Sequence, residues 1–318
     1  MTKKHLRPLI IYALLGGLLI FALHNAPLQE ILLTLKKLTA CQVLALAALN
    51  VLIYALITVR WWLFVRVEYS NVFYLSLLTT RISVFGLSYF TLGPQIGGEP
   101  LQVLSLKRMC GMSYARAAAT VIMDKLLEFL ANFIMLILGA AAIFEAGIVS
   151  PSQSGLPVGI VALLLLLALP PTHIALLARG IYPLAAALKN FPRSKFTRFV
   201  RAAEWMAGKF CRKHFYTVVL SALASLLASL CMVFEFYLIT AFLGISLNVW
   251  QSIAAWTAGW LAFLIPLPGG LGALEASQVF ALGAFGVSAA SAISVTLLIR
   301  ARDLLIGGLG LALAGRVK

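Results

Sequence analysis

The sequence predicts an all-α, polytopic integral membrane protein with about six full transmembrane helices and two re-entrant hairpins broken by proline and glycine. Three observations predict it. The 318 residues are 62% hydrophobic and only 11% charged, with a mean hydropathy of +1.00, a balance that neither a soluble domain nor a disordered chain carries. Several apolar runs reach the roughly 20 residues that cross a bilayer. Two further runs are short and adjoin the clusters LGPQIGGEP and IPLPGGLGALE. Backbone broken at membrane depth survives only where protein surrounds it or where it lines a cavity.

The elements follow in order. Leu9–Leu23 comes after a basic N-terminus with no small-residue cleavage site behind it, so it reads as a retained first helix rather than a signal peptide. Val43–Phe64 is the next span. Val72–Leu92 and Gln95–Leu106 flank Pro94, Gly97 and Gly98 and pair into a first hairpin, Val72–Leu106. Ala115–Phe144 and Leu156–Leu177 are full spans. The basic stretch Arg179–Lys213 contains FPRSKFTRFVRAAEWMAGKF, an amphipathic segment expected to lie along an anionic inner leaflet. Phe215–Leu243 crosses again. Trp250–Ile265 and Gly270–Phe285 meet at Pro266, Pro268, Gly269, Gly270 and Gly272 and form the second hairpin, Trp250–Phe285. Ala289–Ala314 is the last span. The chain thus reads as one membrane domain, 1–318: an N-terminal helix and external turn (1–39), a first half (40–178), a cytoplasmic linker (179–213) and a second half (214–318).

A formal net charge of +15 suggests nucleic acid in a soluble protein. Here it reads as topology, because cytoplasmic loops accumulate Lys and Arg, and no nucleic-acid partner is expected. Lys3, Lys4 and Arg7 place the N-terminus inside. Two crossings return Arg60 and Arg66 inside, and the first hairpin returns to Lys107, Arg108 and Arg116 on that side. Arg179–Lys213 carries nine of the 25 basic residues and is also inside, as are Arg316 and Lys318 at the C-terminus. Glu145–Gly155 has no Lys or Arg and faces out. Lys36 and Lys37 depart from the pattern and are assigned to an external amphipathic turn. On this count the hairpins enter from opposite sides, and the order helix, broken hairpin, charged helix occurs twice in inverted orientation, the sequence pointer to a transporter.

Ten acidic residues exist, and six stand inside apolar runs: Glu99, Asp124, Glu128, Glu235, Glu275 and Asp303, joined by Arg81, Lys125, Arg300 and Arg302. Ionisable groups at membrane depth are functional by default; the alternative is that they pair with one another and hold the bundle together. Asp124 and Glu128 share a helix face with Lys125 beside it, and Arg300 and Asp303 share another. Glu99 and Glu275 follow glycine-rich breaks, where a half-helix exposes N–H groups suited to a phosphate or carboxylate. Glu99, Asp124, Lys125, Glu128, Glu275, Arg300, Arg302 and Asp303 are therefore the candidate substrate-binding residues. Arg and Lys would hold a phosphate and the carboxylates an amine. No catalytic residue, metal ligand or cofactor is indicated: His5, His24, His173 and His214 are isolated, and no GxSxG, HExxH, CxxC or GxxxxGK[ST] motif occurs. Cys41, Cys110, Cys211 and Cys231 are scattered; Cys41 and Cys231, at or in apolar runs, read as buried small hydrophobes.

Gly97-Gly98-Glu99-Pro100, Asp124-Lys125-Leu126-Leu127-Glu128 and Pro266-Leu267-Pro268-Gly269-Gly270-Leu271-Gly272-Ala273-Leu274-Glu275 together resemble the flippase-like transmembrane region of lysylphosphatidylglycerol synthases. The resemblance covers most of the chain. It implies an acid-base-x-x-acid group at Asp124, Lys125 and Glu128 and a functional base at Arg300. It also marks a departure: the family often has arginine where this chain has Gln102. The soluble aminoacyl-transfer domain of full-length synthases is absent from this sequence, so the resemblance implies translocation without synthesis.

The expected function is that of a flippase-like transporter, not an enzyme, in the cell membrane, moving a phospholipid or lipid-linked substrate between leaflets. Two alternatives stay open. One is a non-transporting scaffold or lipid-sensing subunit for a partner enzyme; the other is a membrane-embedded lipid-modifying transferase.

Overall fold

Thr39 and Gln42 open helix α1 (Ala40–Glu68) as a reciprocal cap: the Thr39 N–H donates to Gln42 Oε1 at 2.9 Å, and the Gln42 N–H to Thr39 Oγ1 at 3.4 Å. The structure is a computed structural model and describes residues 36–91, 97–145, 158–190, 194–265 and 267–314, with Gln29 and Leu33. The expected helix Leu9–Leu23, Pro94 and Pro266 lie outside the described residues. After α1 come α2 (Tyr74–Phe90), α3 (Glu99–Cys110), α4 (Tyr114–Glu145) and α5 (Val158–Ala178). The linker holds α6 (Pro183–Ala187) and α7 (Lys195–Lys213). Then come α8 (Phe215–Phe242), α9 (Val249–Ala262), a 3-10 turn at Pro268–Gly270, α10 (Ala273–Gly283) and α11 (Ala289–Ala314). No strand occurs among the described residues. Ser113, Ser194, Asn248 and Ser288 cap α4, α7, α9 and α11 with side-chain oxygens.

Among the described residues, three helices are long and apolar enough to cross a membrane: α1, Tyr114–Ile143 within α4, and α8. In α8 the exposed residues Leu220, Leu223, Leu227, Leu230 and Phe234 recur every three or four positions, while Ser221, Ser225, Ser229 and Glu235 are buried. A helix that is apolar outside and polar inside suits a lipid solvent. The two segments expected to be broken are broken, at the stretch between α2 and α3 and at the turn between α9 and α10. Their helices have 17, 12, 14 and 11 residues. None exceeds about 26 Å, against a hydrocarbon core of about 30 Å.

The chain divides into two compact units. The first consists of Met1–Val51, Thr79–Leu101 and Val233–Lys318, the second of Leu52–Leu78 and Gln102–Met232. The boundaries fall inside α1, α2, α3 and α8, so neither unit is one continuous half of the sequence. In the first unit, Phe236, Ile239, Leu274, Leu282, Val295 and Leu298 form the core between α8, α9, α10 and α11. Here α2 meets α11 backbone to backbone: a Cβ on Gly310 would lie 2.2 Å from the Ile82 carbonyl oxygen. Only glycine permits that approach.

In the second unit, Phe64, Met123, Leu127, Leu177 and Phe210 join α1, α4, α5 and α7. The Phe64 and Phe210 rings meet edge to face with centroids 5.3 Å apart. A further cluster, Trp61, Val65, Leu77, Leu106 and Val121, joins α1, α2, α3 and α4. The linker is amphipathic, as its sequence predicts: α7 buries Ala203, Ala207, Phe210 and Cys211 and exposes Arg198, Trp205 and Arg212. Buried Glu204 accepts from the backbone N–H groups of Leu184 and Ala185 at 2.9 and 2.6 Å and so caps α6 from outside. Burial pushes the Cys211 thiol up to about 11. Cys41 differs from expectation. It is exposed, because its apolar neighbourhood is the first turn of a helix and not a core.

Candidate functional site

Each unit buries its own network of charges. In the second unit the centre is Arg60, twenty residues beyond the first residue of α1 and 3% exposed. Its Nε donates to Asp124 Oδ1 at 2.6 Å, its Nη2 to Glu128 Oε2 at 2.7 Å and its Nη1 to Ser225 Oγ at 2.8 Å. Asp124 and Glu128 stand one helical turn apart on α4, so one guanidinium serves both. Lys125 Nζ donates to the other Glu128 oxygen at 3.0 Å. Among the described residues, two cations and two carboxylates meet here, the kind of balance that lets charges survive burial. The buried end is Arg60 and Asp124; the Lys125 and Glu128 side chains remain 21% and 19% exposed.

In the first unit Arg300 binds both oxygens of Glu275, with Nη2 to Oε2 at 2.7 Å. It also donates to the carbonyl oxygens of Gly269 and Gly270 at 3.1 and 3.4 Å. Those glycines adopt φ of 59° and 62°, a left-handed turn that aims both carbonyls at the guanidinium. A Cβ on Gly270 would lie 2.9 Å from the Phe263 ring. Arg302 donates to Glu235 Oε2 and to Asp303 Oδ1, at 2.6 and 2.8 Å. Asn50 Nδ2 completes the set by donating to Glu235 Oε1 at 2.6 Å. Among the described residues, three carboxylates therefore meet two guanidiniums. Glu275 and Arg302 keep 30% and 28% of their side chains exposed.

The two broken segments end alike. Gly97 N–H donates to Glu99 Oε2, and Gly272 N–H to Glu275 Oε2, both at 3.0 Å. Both carboxylates thus fold back onto an N–H that lies just before the helix, beside the N-termini of α3 and α10 that the sequence offers to a substrate anion. For α10 this is half of a capping box: Glu275, at the third helical position, accepts from the N–H of Gly272, which has no side chain to return the bond.

The structure brings Asp124, Lys125 and Glu128 together, Glu275 with Arg300, and Arg302 with Asp303. Arg60 corrects the sequence reading. Counted in the sequence only toward topology, it is the buried partner of Asp124 and Glu128, eight residues inside the end of α1. A cation so far inside an apolar run, followed by Trp61 and Trp62, demands an acidic partner, and that signal was available. Asn50 and Ser225 left none, since neutral polar residues are common in membrane helices. Among the described residues, no group of three or more His, Cys, Asp or Glu side chains is arranged to hold a metal ion.

Neither a curated protein nor a solved structure matches the chain. The family model described as "Lysylphosphatidylglycerol synthase TM region" matches residues 8–310, nearly its whole length. The chain belongs to that family, and with it to the membrane proteins its long apolar helices already indicated.

Proposed function

We propose that this protein is a flippase-like transporter that moves a phospholipid or lipid-linked substrate between leaflets. One observation carries it. Each unit leaves one cation and one carboxylate of its buried network partly exposed: Lys125 and Glu128, paired with each other, in one, and Arg302 and Glu275, each held by a buried partner, Glu235 and Arg300, in the other. A lipid headgroup combines a phosphate with an amine, a sugar or glycerol, and such a charged pair answers it in either polarity. The buried members, Arg60 and Arg300, hold the carboxylates in place, so the exposed members need little reorganisation to engage a headgroup.

The breaks at Gly97 and at Gly269–Gly272 support the same function. Paired interrupted helices in the two halves of a chain are the mark of transporters, where they flank a substrate site and move against the rest of the bundle. In our reading the two broken segments are re-entrant hairpins in an inverted repeat, with both termini cytoplasmic. The excess carboxylate of the Glu235–Asp303–Glu275 network suits a proton as the coupling ion, since one proton neutralises the set. The test is transfer of headgroup-labelled lipids across liposomes containing the purified full chain. Transfer faster than in protein-free vesicles is expected; no acceleration for any anionic, zwitterionic or glycosylated lipid would refute transport.

A further inference from the structure

Three residues beyond the capping glutamate, each broken segment carries a buried glutamine: Gln102 after Glu99, and Gln278 after Glu275. Both are fully buried, and both stand on the same helix face as their glutamate, one turn on. Gln278 is half accounted for. Its Nε2 donates to the Ala255 carbonyl at 2.9 Å, in the space that Gly259 leaves open, while its Oε1 meets no donor among the described residues. Gln102 is not accounted for at all. Among the described residues neither its Oε1 nor its Nε2 has a hydrogen-bond partner, nor does Oγ of Ser105, the next residue on that face, which is also fully buried.

Three polar atoms within one turn of α3 are therefore buried with no hydrogen-bond partner among the described residues, a state that native structures tolerate rarely and at specific places. The helix that carries them packs Val103 and Leu106 into an apolar cluster with Trp61, Val65 and Leu77. The three atoms comprise an acceptor, an NH2 donor and a hydroxyl that does both. A phosphate would satisfy the donors and oppose the Gln102 oxygen; an ammonium would satisfy the oxygens and oppose the NH2 group. A hydroxyl or polyol, donor and acceptor together, satisfies all three.

We propose that Gln102 and Ser105 bind the hydroxyl groups of a glycerol or sugar headgroup, and that the present conformation is one in which the protein covers them. This rests on the transport reading and names its substrate class. Gly97, at φ 114° just before α3, holds a backbone conformation that other residues rarely adopt, so the turn entering the helix requires glycine.

The test measures binding without transport, so the two readings can fail separately. Purified full chain in detergent is incubated with an equimolar mixture of monoglucosyl diacylglycerol, phosphatidylglycerol and phosphatidylethanolamine of identical acyl chains, and retained lipid is quantified by mass spectrometry. The glucosyl and glycerol lipids should be retained over the ethanolamine lipid. Gln102→Leu and Ser105→Ala should each lower that preference, by up to about tenfold, the equivalent of one or two hydrogen bonds. A glucosyl preference over phosphatidylglycerol identifies a sugar, and the reverse identifies glycerol phosphate; both support the proposal. Equal retention of the ethanolamine lipid overturns it, as does an unchanged preference in Ser105→Ala, whose small truncation keeps the fold. A Gln102→Leu chain that melts higher with its lipid preference unchanged would also overturn it, because the glutamine would then be a buried defect with no ligand.

Discussion

Arg60 and Glu235 occupy the same register, each twenty residues beyond the first residue of its helix, and they carry opposite charges. Arg60 on α1 binds Asp124 and Glu128 of α4; Glu235 on α8 binds Arg302 of α11. In both cases the long helix before a broken segment is tied to the long helix after it by an ion pair whose member on the first helix is buried, with the polarity exchanged. Such ties hold the ends of a segment that has glycine breaks in its middle.

Removing one member of a buried pair is worse than removing both. Arg60→Met leaves Asp124 and Glu128 with Lys125 as their one cation in the network described, and the expected loss is about 3–5 kcal/mol. Adding Asp124→Asn to that variant should recover much of it. Thermal unfolding of the purified proteins in detergent checks this. A single variant as stable as the parent would contradict the network.

Arg300→Lys should also fail, although it keeps the charge. Lysine cannot span both Glu275 oxygens and the Gly269 and Gly270 carbonyls at once. A loss of about 1.5–3 kcal/mol is expected from the missing charged hydrogen bonds, again by thermal unfolding.

Gly270→Ala tests the turn itself. A positive φ and the Phe263 ring at 2.9 Å both oppose a Cβ there, with a cost of about 1–3 kcal/mol. Gly283 is the control, at the end of α10 with open space around its Cβ position. Gly283→Ala should be neutral or stabilising by up to about 1 kcal/mol. Equal effects at the two sites would contradict the turn geometry.

Thiol labelling checks the packing of the linker. Cys41 is exposed, whereas Cys211 stands on the buried face of α7 with its thiol pushed up to about 11. At pH 7 a maleimide should modify Cys41 and leave Cys211 intact. A raised thiol value keeps the thiolate fraction low until the pH approaches it, so Cys211 should react only in strong alkali or after unfolding. Rapid modification of Cys211 in the folded protein would place α7 elsewhere.

Hydropathy and the Pro/Gly clusters made the broken helices legible, because few other residues interrupt apolar runs of that length. Charges inside those runs stood out for the same reason, so Asp124, Glu128, Glu275, Arg300 and Asp303 could be chosen without a structure. Their partners could not all be read. Glu235 and Arg302 lie 67 residues apart, and no local pattern joins them. Arg60 was legible as a cation well inside an apolar run, followed by two tryptophans, but a Lys or Arg toward one end of a span also counts toward topology, and that reading prevailed. The matched glutamines were legible in principle, as two glutamates each followed three residues later by Gln. A neutral side chain leaves little mark on hydropathy, however, and only burial without partners gave Gln102 its meaning.

Transport in liposomes with and without the Lys125 charge tests the central claim most directly. Lys125 is the partly exposed cation of its network, so Lys125→Gln should melt close to the parent while losing headgroup contact. The parent chain should transfer its preferred lipid faster than protein-free vesicles do, and Lys125→Gln should reduce that acceleration by about tenfold, one lost charged contact in the transition state. A parent chain no faster than empty vesicles, or a Lys125→Gln chain as fast as the parent, would contradict it.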